Sequence, residues 1–218
     1  MDMKLAVIEG RWDKRSNCSV KPFFDTYSDV THGNHNSFHY ETFGDAAAFS
    51  EIVQRVGEQR GIRYVYVAAH GSDEGIFGAS GALIPNKVII ESLKHARLDG
   101  VFFGACEFGV LKNARKILRS SDVALSWVAG YGSDVDWIRS SLADILFWRK
   151  YLETLLDEKK TPKAAVRYTA EALVRYSPGM LLIDEFEIFL KDAQGDVELL
   201  MRDAWNDCRA EFAELEAK

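Results

Sequence analysis

Apolar residues fall in blocks along the first two-thirds of the chain, and the blocks alternate between two periodicities. Leu5 to Ile8 is a short apolar run, and Phe38 to Phe43 is a second, weaker one. From Asp45, a predicted N-cap, apolar residues recur at Phe49, Ile52, Val53 and Val56, the spacing of one helix face. Tyr64 to Ala69 is continuously apolar and β-favouring, which predicts a strand buried on both faces of a parallel sheet; it runs into His70-Gly71. A glycine-rich stretch, 71 to 81, has room for a small hairpin. Asn86 to Arg97 then reads as a helix with Val88, Ile89, Leu93 and Ala96 inward. Val101 to Ala105 repeats the buried-strand pattern and ends in Cys106. A helix carrying Val110, Leu111, Ala114, Ile117 and Leu118 follows, then a fifth apolar run, Val123 to Ala129, and a polar loop, Gly130 to Asp136.

The last third is more helical. Trp137 to Glu158 keeps Ile138, Leu142, Ile145, Leu146, Leu152 and Leu155 on one stripe, and Thr161-Pro162 supplies a cap and a first-turn proline for another helix, stopped by Ser177-Pro178-Gly179. Phe186 to Leu190 alternates as an edge strand would. Val197, Leu200, Met201, Ala204, Trp205, Cys208 and Phe212 define a final amphipathic helix. Strand and helix alternating at this spacing predict an α/β fold with a parallel sheet and right-handed crossovers. A single domain over 1–218 is expected, with 160–218 as a helical extension packed on it.

Composition narrows the function classes. With 47% hydrophobic and 28% charged residues among 218, the chain is neither disordered nor collagen-like. A formal net charge of −6 gives the surface as a whole no preference for nucleic acid or anionic lipid. Cys18, Cys106 and Cys208 are odd in number and show no CxxC spacing, which points to a reduced, cytoplasmic setting. The start MDMKLAVIEG lacks the pattern of a signal peptide, and no apolar run approaches the ~20 residues of a membrane span.

Two buried strands therefore end in chemically competent side chains, His70 and Cys106, 36 positions apart. Residues just past the carboxyl ends of parallel strands line the crevice where open α/β sheets bind ligands. If the strands are neighbours, an imidazole and a thiol emerge side by side. The imidazole can take the thiol proton and later protonate a leaving amine. The backbone N–H groups of Gly71 and Cys106 are the candidate oxyanion donors. A helix is expected to begin directly after Cys106, its dipole favouring the thiolate. None of His32, His35, His39, His70 and His95 follows Cys106, which excludes the chain order of papain-like proteases, class I amidotransferases and α/β-hydrolases.

AAHGSDEG followed by DGVFFGACEFG resembles the paired signature of the caspase-like peptidases, a group with caspases, gingipains, separases and the bacterial CHAT domains, CHAT being the most similar. Ser126-Trp127-Val128, Asp134 and the aromatic stretch Phe147 to Tyr151 extend the likeness, which covers roughly residues 3 to 158. Glu107-Phe108 departs from the small residues more usual after the nucleophile. The resemblance implies a caspase-like three-layer α/β sandwich, with a mostly parallel central sheet and helices on both faces, and a cysteine endopeptidase with His70 as acid/base and Cys106 as nucleophile, acting on a protein substrate without metal or organic cofactor. It also implies regulation by an activating or inhibiting protein partner and, in bacteria, a role in defence. The substrate pocket would be built by 11–36 and 130–136. There Asp134 and Asp136, then Asp13, with Glu107 beside the nucleophile, favour a basic residue before the cut, whereas Arg11 or Arg15 would favour an acidic one.

Blander readings stand beside these. Cys208 lies on an apolar stripe and reads as core, and His32, His35 and His39 read as solvated loop histidines more readily than as a metal site. A catalytically silent scaffold that binds other proteins is the main alternative. A different cysteine-dependent hydrolase or acyltransferase assisted by Glu107 or Asp73 is the other.

Overall fold

The computed structural model describes residues 4–12, 18–33 and 37–216, with side chains through Ala210. Among them, seven strands form one sheet: β1 (Leu5–Gly10), β2 (His39–Phe43), β3 (Tyr64–Ala68), β7 (Gly100–Gly104), β8 (Trp127–Tyr131), β9 (Phe186–Lys191) and β10 (Val197–Leu199). Their order across it is β10-β9-β8-β7-β3-β1-β2. From β2 to β8 every pairing is parallel, while β8–β9 and β9–β10 are antiparallel. The fold is thus α/β, as the block pattern predicts, with a mostly parallel central sheet, as the resemblance implies.

The sheet separates two cores. Leu5, Val7, Tyr64, Tyr66, Phe102 and Trp127 face α1 (Lys21–His32), α5 (Trp137–Leu152), α6 (Pro162–Tyr176) and α8 (Leu200–Glu216). Ala6, Ile8, Val65, Val67, Val101, Phe103 and Val128 face α2 (Ala46–Glu58), α3 (Asn86–Leu93) and α4 (Leu111–Leu118). Continuous apolar runs are what the central strands require, because alternate side chains enter opposite cores. Asp45 caps α2 by accepting from Ala48 N at 2.9 Å, and Thr161 caps α6 by accepting from Ala164 N.

Several elements differ from the sequence expectation. The stretch after His70 folds into a three-stranded antiparallel sheet, β4 (Gly71–Ser72), β5 (Gly75–Phe77) and β6 (Leu83–Pro85). On α5 the buried apolar residues are Ala143, Phe147, Trp148, Tyr151 and Leu152, whereas Ile138 and Leu142 are more than half exposed. The aliphatic stripe misleads because the large aromatic rings of this helix hold more apolar surface and take the places over Phe102 and Trp127. A π-helical turn, Glu153–Asp157, ends the helix. Phe186–Lys191 is not the edge strand: Val197–Leu199 pairs outside it. Residues 160–218 therefore supply two strands of the sheet and α7 (Gly179–Leu182) as well as the long helices, α6 and α8.

Candidate active site

Strands β3 and β7 are parallel neighbours with Ala68 opposite Gly104, so His70 and Cys106 each lie two residues beyond the same rung. Ala69 N donates to Gly104 O at 3.3 Å, carrying the alignment past the regular ladder. Tyr64, Tyr66 and Ala68 on one strand and Phe102 on the other point into the core under α1 and α5, and His70 and Cys106 follow just past the ends of these strands. Glycine is needed at two positions here. A Cβ on Gly71 would fall 2.5 Å from the Cys106 carbonyl oxygen, and one on Gly104 would fall 2.3 Å from the Tyr66 hydroxyl. The turns carrying the imidazole and the thiol are in backbone contact.

The His70 ring is exposed at the sheet rim, and its Nε2 lies 2.8 Å from the carbonyl oxygen of Trp12, edge-on to the Trp12 indole at 5.3 Å. A carbonyl only accepts, so in the neutral ring Nε2 carries the proton and Nδ1 keeps a free lone pair. Trp12 is itself held by Glu9, the last polar position of β1 and 3% exposed. The Glu9 carboxylate accepts from Trp12 Nε1, Ser19 Oγ (2.6 Å), Val20 N (2.8 Å) and the Tyr40 hydroxyl (2.6 Å). Burial and this hydrogen bond push the Tyr40 hydroxyl up to about 12. Sequence reasoning reaches neither Glu9 nor Trp12. The one signal is a lone acid directly at the end of an apolar run, which burial forces to find partners.

Cys106 is half-buried in a turn over 106–108, and Glu107 beside it has φ +58°, a left-handed conformation uncommon for a non-glycine residue. Burial pushes the thiol above its usual value of 9.0. A hydrogen bond from the Val135 backbone opposes this, and the negative charges of Asp134 and Glu107 add to it. The expectation of a helix immediately after Cys106 is corrected, since α4 begins at Leu111 with Val110 as its N-cap. The dipole acts within about one turn of a helix end and is spent before it reaches the sulfur.

The loop after β8 closes over the cysteine. Glu107 N donates to Ser133 O at 3.2 Å, Gly109 N to Tyr131 O at 2.7 Å and Gly132 N to Glu185 O at 3.1 Å. Asp134 is exposed on this loop, near enough to Cys106 to bias its titration. Asp136 is engaged structurally, because its Oδ1 accepts from Arg139 N at 2.9 Å and caps α5. Asp13 and Arg15 lie outside the described residues. Glu185, not foreseen from sequence, brings another exposed carboxylate against Gly132. It arrives from the segment leading into β9, so no local pattern links it to the loop.

Under the rim, the buried Asp144 of α5 joins the Tyr66 and Tyr131 hydroxyls, the latter at 2.6 Å, and burial pushes its carboxyl up to about 7. Cys208 is buried and Cys18 exposed. His39 sits in β2, 2.6 Å from Glu41, and His32 in the last turn of α1. His35 lies outside the described residues. Among the described residues no group of three or more His, Cys, Asp or Glu could hold a metal ion, and no helix is long and apolar enough to cross a membrane.

No protein-family model matches this sequence, and neither does any curated protein. Solved structures do match. One is the X-ray structure of an inactive zymogen of a C11 protease from Parabacteroides distasonis, with a TM-score of 0.50 and 10% sequence identity over 87% of this chain. The chain spans 62% of the length of that protein. At such identity the likeness extends to the fold alone. The chain has the caspase-like α/β fold found in that cysteine protease.

Proposed function

We propose that the protein is a cysteine peptidase in which Cys106 attacks the scissile carbonyl and His70 manages the proton. The observation that carries this reading is the shared register of the two residues, each two positions past the Ala68–Gly104 rung, with their turns in contact. The Trp12 carbonyl occupies Nε2, so Nδ1 is the atom that takes the thiol proton. The Sγ–carbon bond then forms, and the oxyanion is met by the N–H groups of Cys106 and Gly71. Phe77 N donates to His70 O at 2.9 Å, which makes Gly71–Ile76 the non-hydrogen-bonded pair of the hairpin and turns the Gly71 N–H out of it. The protonated imidazole gives its proton to the leaving amine, the C–N bond breaks, and water hydrolyses the thioester by the same route in reverse.

Asp134, Glu107 and Glu185 surround the loop with negative charge, which supports cleavage after Arg or Lys. Asp136, engaged as a cap, contributes less, and Asp13 is kept only from the sequence pattern. The Val135 N–H on the thiol supports a closed resting state, opened by a protein partner or by substrate. The His-Gly and Ala-Cys spacing supports a CHAT-type member serving bacterial defence in the cytoplasm, where a free thiol is maintained. The raised thiol and its cover equally favour a second reading, a silent scaffold that binds other proteins. Incubation with an arginyl or lysyl chloromethylketone, with candidate partners present, separates the two. An adduct on Cys106 that disappears in His70→Gln supports the peptidase; partner binding with no adduct under any condition supports the scaffold.

A further inference from the structure

Two asparagines form a clamp between the turn that follows His70 and the turn that contains Cys106. Asn113, the third residue of α4 and 1% exposed, donates through Nδ2 to the carbonyl of Asp73 at 3.0 Å and to that of Phe108 at 3.1 Å. Asp73 lies three residues past His70, and Phe108 two past Cys106. The Asn113 Oδ1 accepts from Asn86 Nδ2 at 3.0 Å, and Asn86 is 9% exposed at the start of α3. Asn86 in turn faces the carbonyls of Asp73 and Glu74 at 3.4 and 3.2 Å, and its backbone N–H donates to Glu74 O at 3.1 Å.

This arrangement answers a mechanical problem. Beyond the Ala68–Gly104 rung the ladder ends, and the two chains diverge, one into the β4–β6 hairpin and the other towards α4. Past that rung the gap is crossed by the Ala69 N to Gly104 O bond, the contact of Gly71 with Cys106 and an exposed Lys112–Asp73 ion pair at 3.5 Å, which contributes little. A carboxamide suits the gap because one NH2 group can serve two carbonyls while its oxygen is held by a second amide. With both ends of the buried Asn113 amide engaged, the linked bonds fix one geometry more firmly than either alone, while the Asn86 Oδ1 has no hydrogen-bond partner among the described residues.

We infer that Asn113, supported by Asn86, is a positioning residue that sets the separation of the His70 and Cys106 turns. This rests on the dyad reading above and goes beyond it, because it assigns the spacing of the pair to side chains of α3 and α4. A shift of an ångström between nucleophile and base is costly, so loss of the clamp weakens coupling between imidazole and thiol while the sheet stays intact.

The test is alkylation of Cys106 by iodoacetamide in the full chain, with Cys18→Ser to remove the exposed thiol and peptide mass mapping to locate the adduct. Rates are followed from pH 5 to 10 in the parent, His70→Gln, Asn113→Ala and Thr169→Ala, the last removing a buried hydroxyl bond within α6 that involves neither turn. The expected result is a shifted profile in His70→Gln, the same shift in Asn113→Ala with a rate at pH 7 changed at least tenfold, and the parent profile in Thr169→Ala. A parent profile in Asn113→Ala beside a shifted one in His70→Gln overturns the inference and leaves the dyad standing. An unshifted profile in His70→Gln overturns the dyad itself, and the inference with it. Should Asn113→Ala not fold, Asn86→Ser decides: the same shift supports the clamp, and an unshifted profile overturns it.

Discussion

Gly71 packs its Cα against the carbonyl of Cys106, so closely that an added methyl carbon would lie 2.5 Å from that oxygen and 2.9 Å from the Ala105 Cβ. Neither contact is with the end of a flexible side chain, so backbone must move. Gly71→Ala is expected to cost about 1–3 kcal/mol of stability, as overpacking does, and to lower chloromethylketone labelling of Cys106 at least tenfold. Denaturant unfolding and the labelling rate report the two effects separately.

The thiol of Cys106 should be slower than an ordinary cysteine near neutrality, because burial and the acids Asp134 and Glu107 hold it protonated. At pH 7.5 iodoacetamide should modify the exposed Cys18 first, with Cys106 catching up as pH rises past 9. Asp134→Asn combined with Glu107→Gln removes two repulsive charges and should speed Cys106 a few-fold at pH 7.5. A Cys106 that outpaces Cys18 at pH 7 in the unmodified chain would contradict this.

Stability should fall as pH rises from about 4 to about 7. Asp144 and Glu187 are both pushed up to about 7 by burial, from 3.8 and 4.5, so across that window the folded chain keeps protons that the unfolded chain has lost. Unfolding then releases protons, and each such carboxyl removes up to about 1.4 kcal/mol per pH unit. Asp144→Asn, whose amide can still accept from one tyrosine hydroxyl and donate to the other, should flatten its share of that slope. Urea midpoints at pH 4.5, 5.5, 6.5 and 7.5 measure it.

Glu9→Leu should be among the most damaging single changes. It strips the acceptor from Trp12 Nε1, Ser19 Oγ, Val20 N and the Tyr40 hydroxyl together, and leaving buried donors unmet costs about 1–3 kcal/mol for each that water cannot reach. The segment carrying the Trp12 carbonyl loses its anchor, so labelling of Cys106 should decline in those molecules that still fold. Thermal unfolding and labelling of the folded fraction check the two statements.

The strand ends are legible in the sequence because their cause is local. Tyr64–Ala68 and Gly100–Gly104 are buried on both faces, so unbroken apolar runs mark them, and the polar residue that ends each run marks the rim. Helices α2 and α6 are legible for a similar reason, their caps being written in neighbouring residues. The stripe on α5 misleads because aromatic bulk, set by the space above Phe102 and Trp127, overrides aliphatic spacing.

From the chain alone came the alternation of strand and helix, the α/β class, and His70 and Cys106 as residues at strand ends, since each depends on spacing within a few positions. Only tertiary structure decided what stands beside them: Trp12 and Glu9 at the imidazole, Val135 on the thiol, Asp136 spent as a cap, Glu185 brought in ahead of an antiparallel strand, and Asn113 spanning two turns. Those partners are for the most part tens of residues apart in sequence, and their meeting follows from sheet order and from the requirement that buried polar groups find one another, which no local pattern encodes.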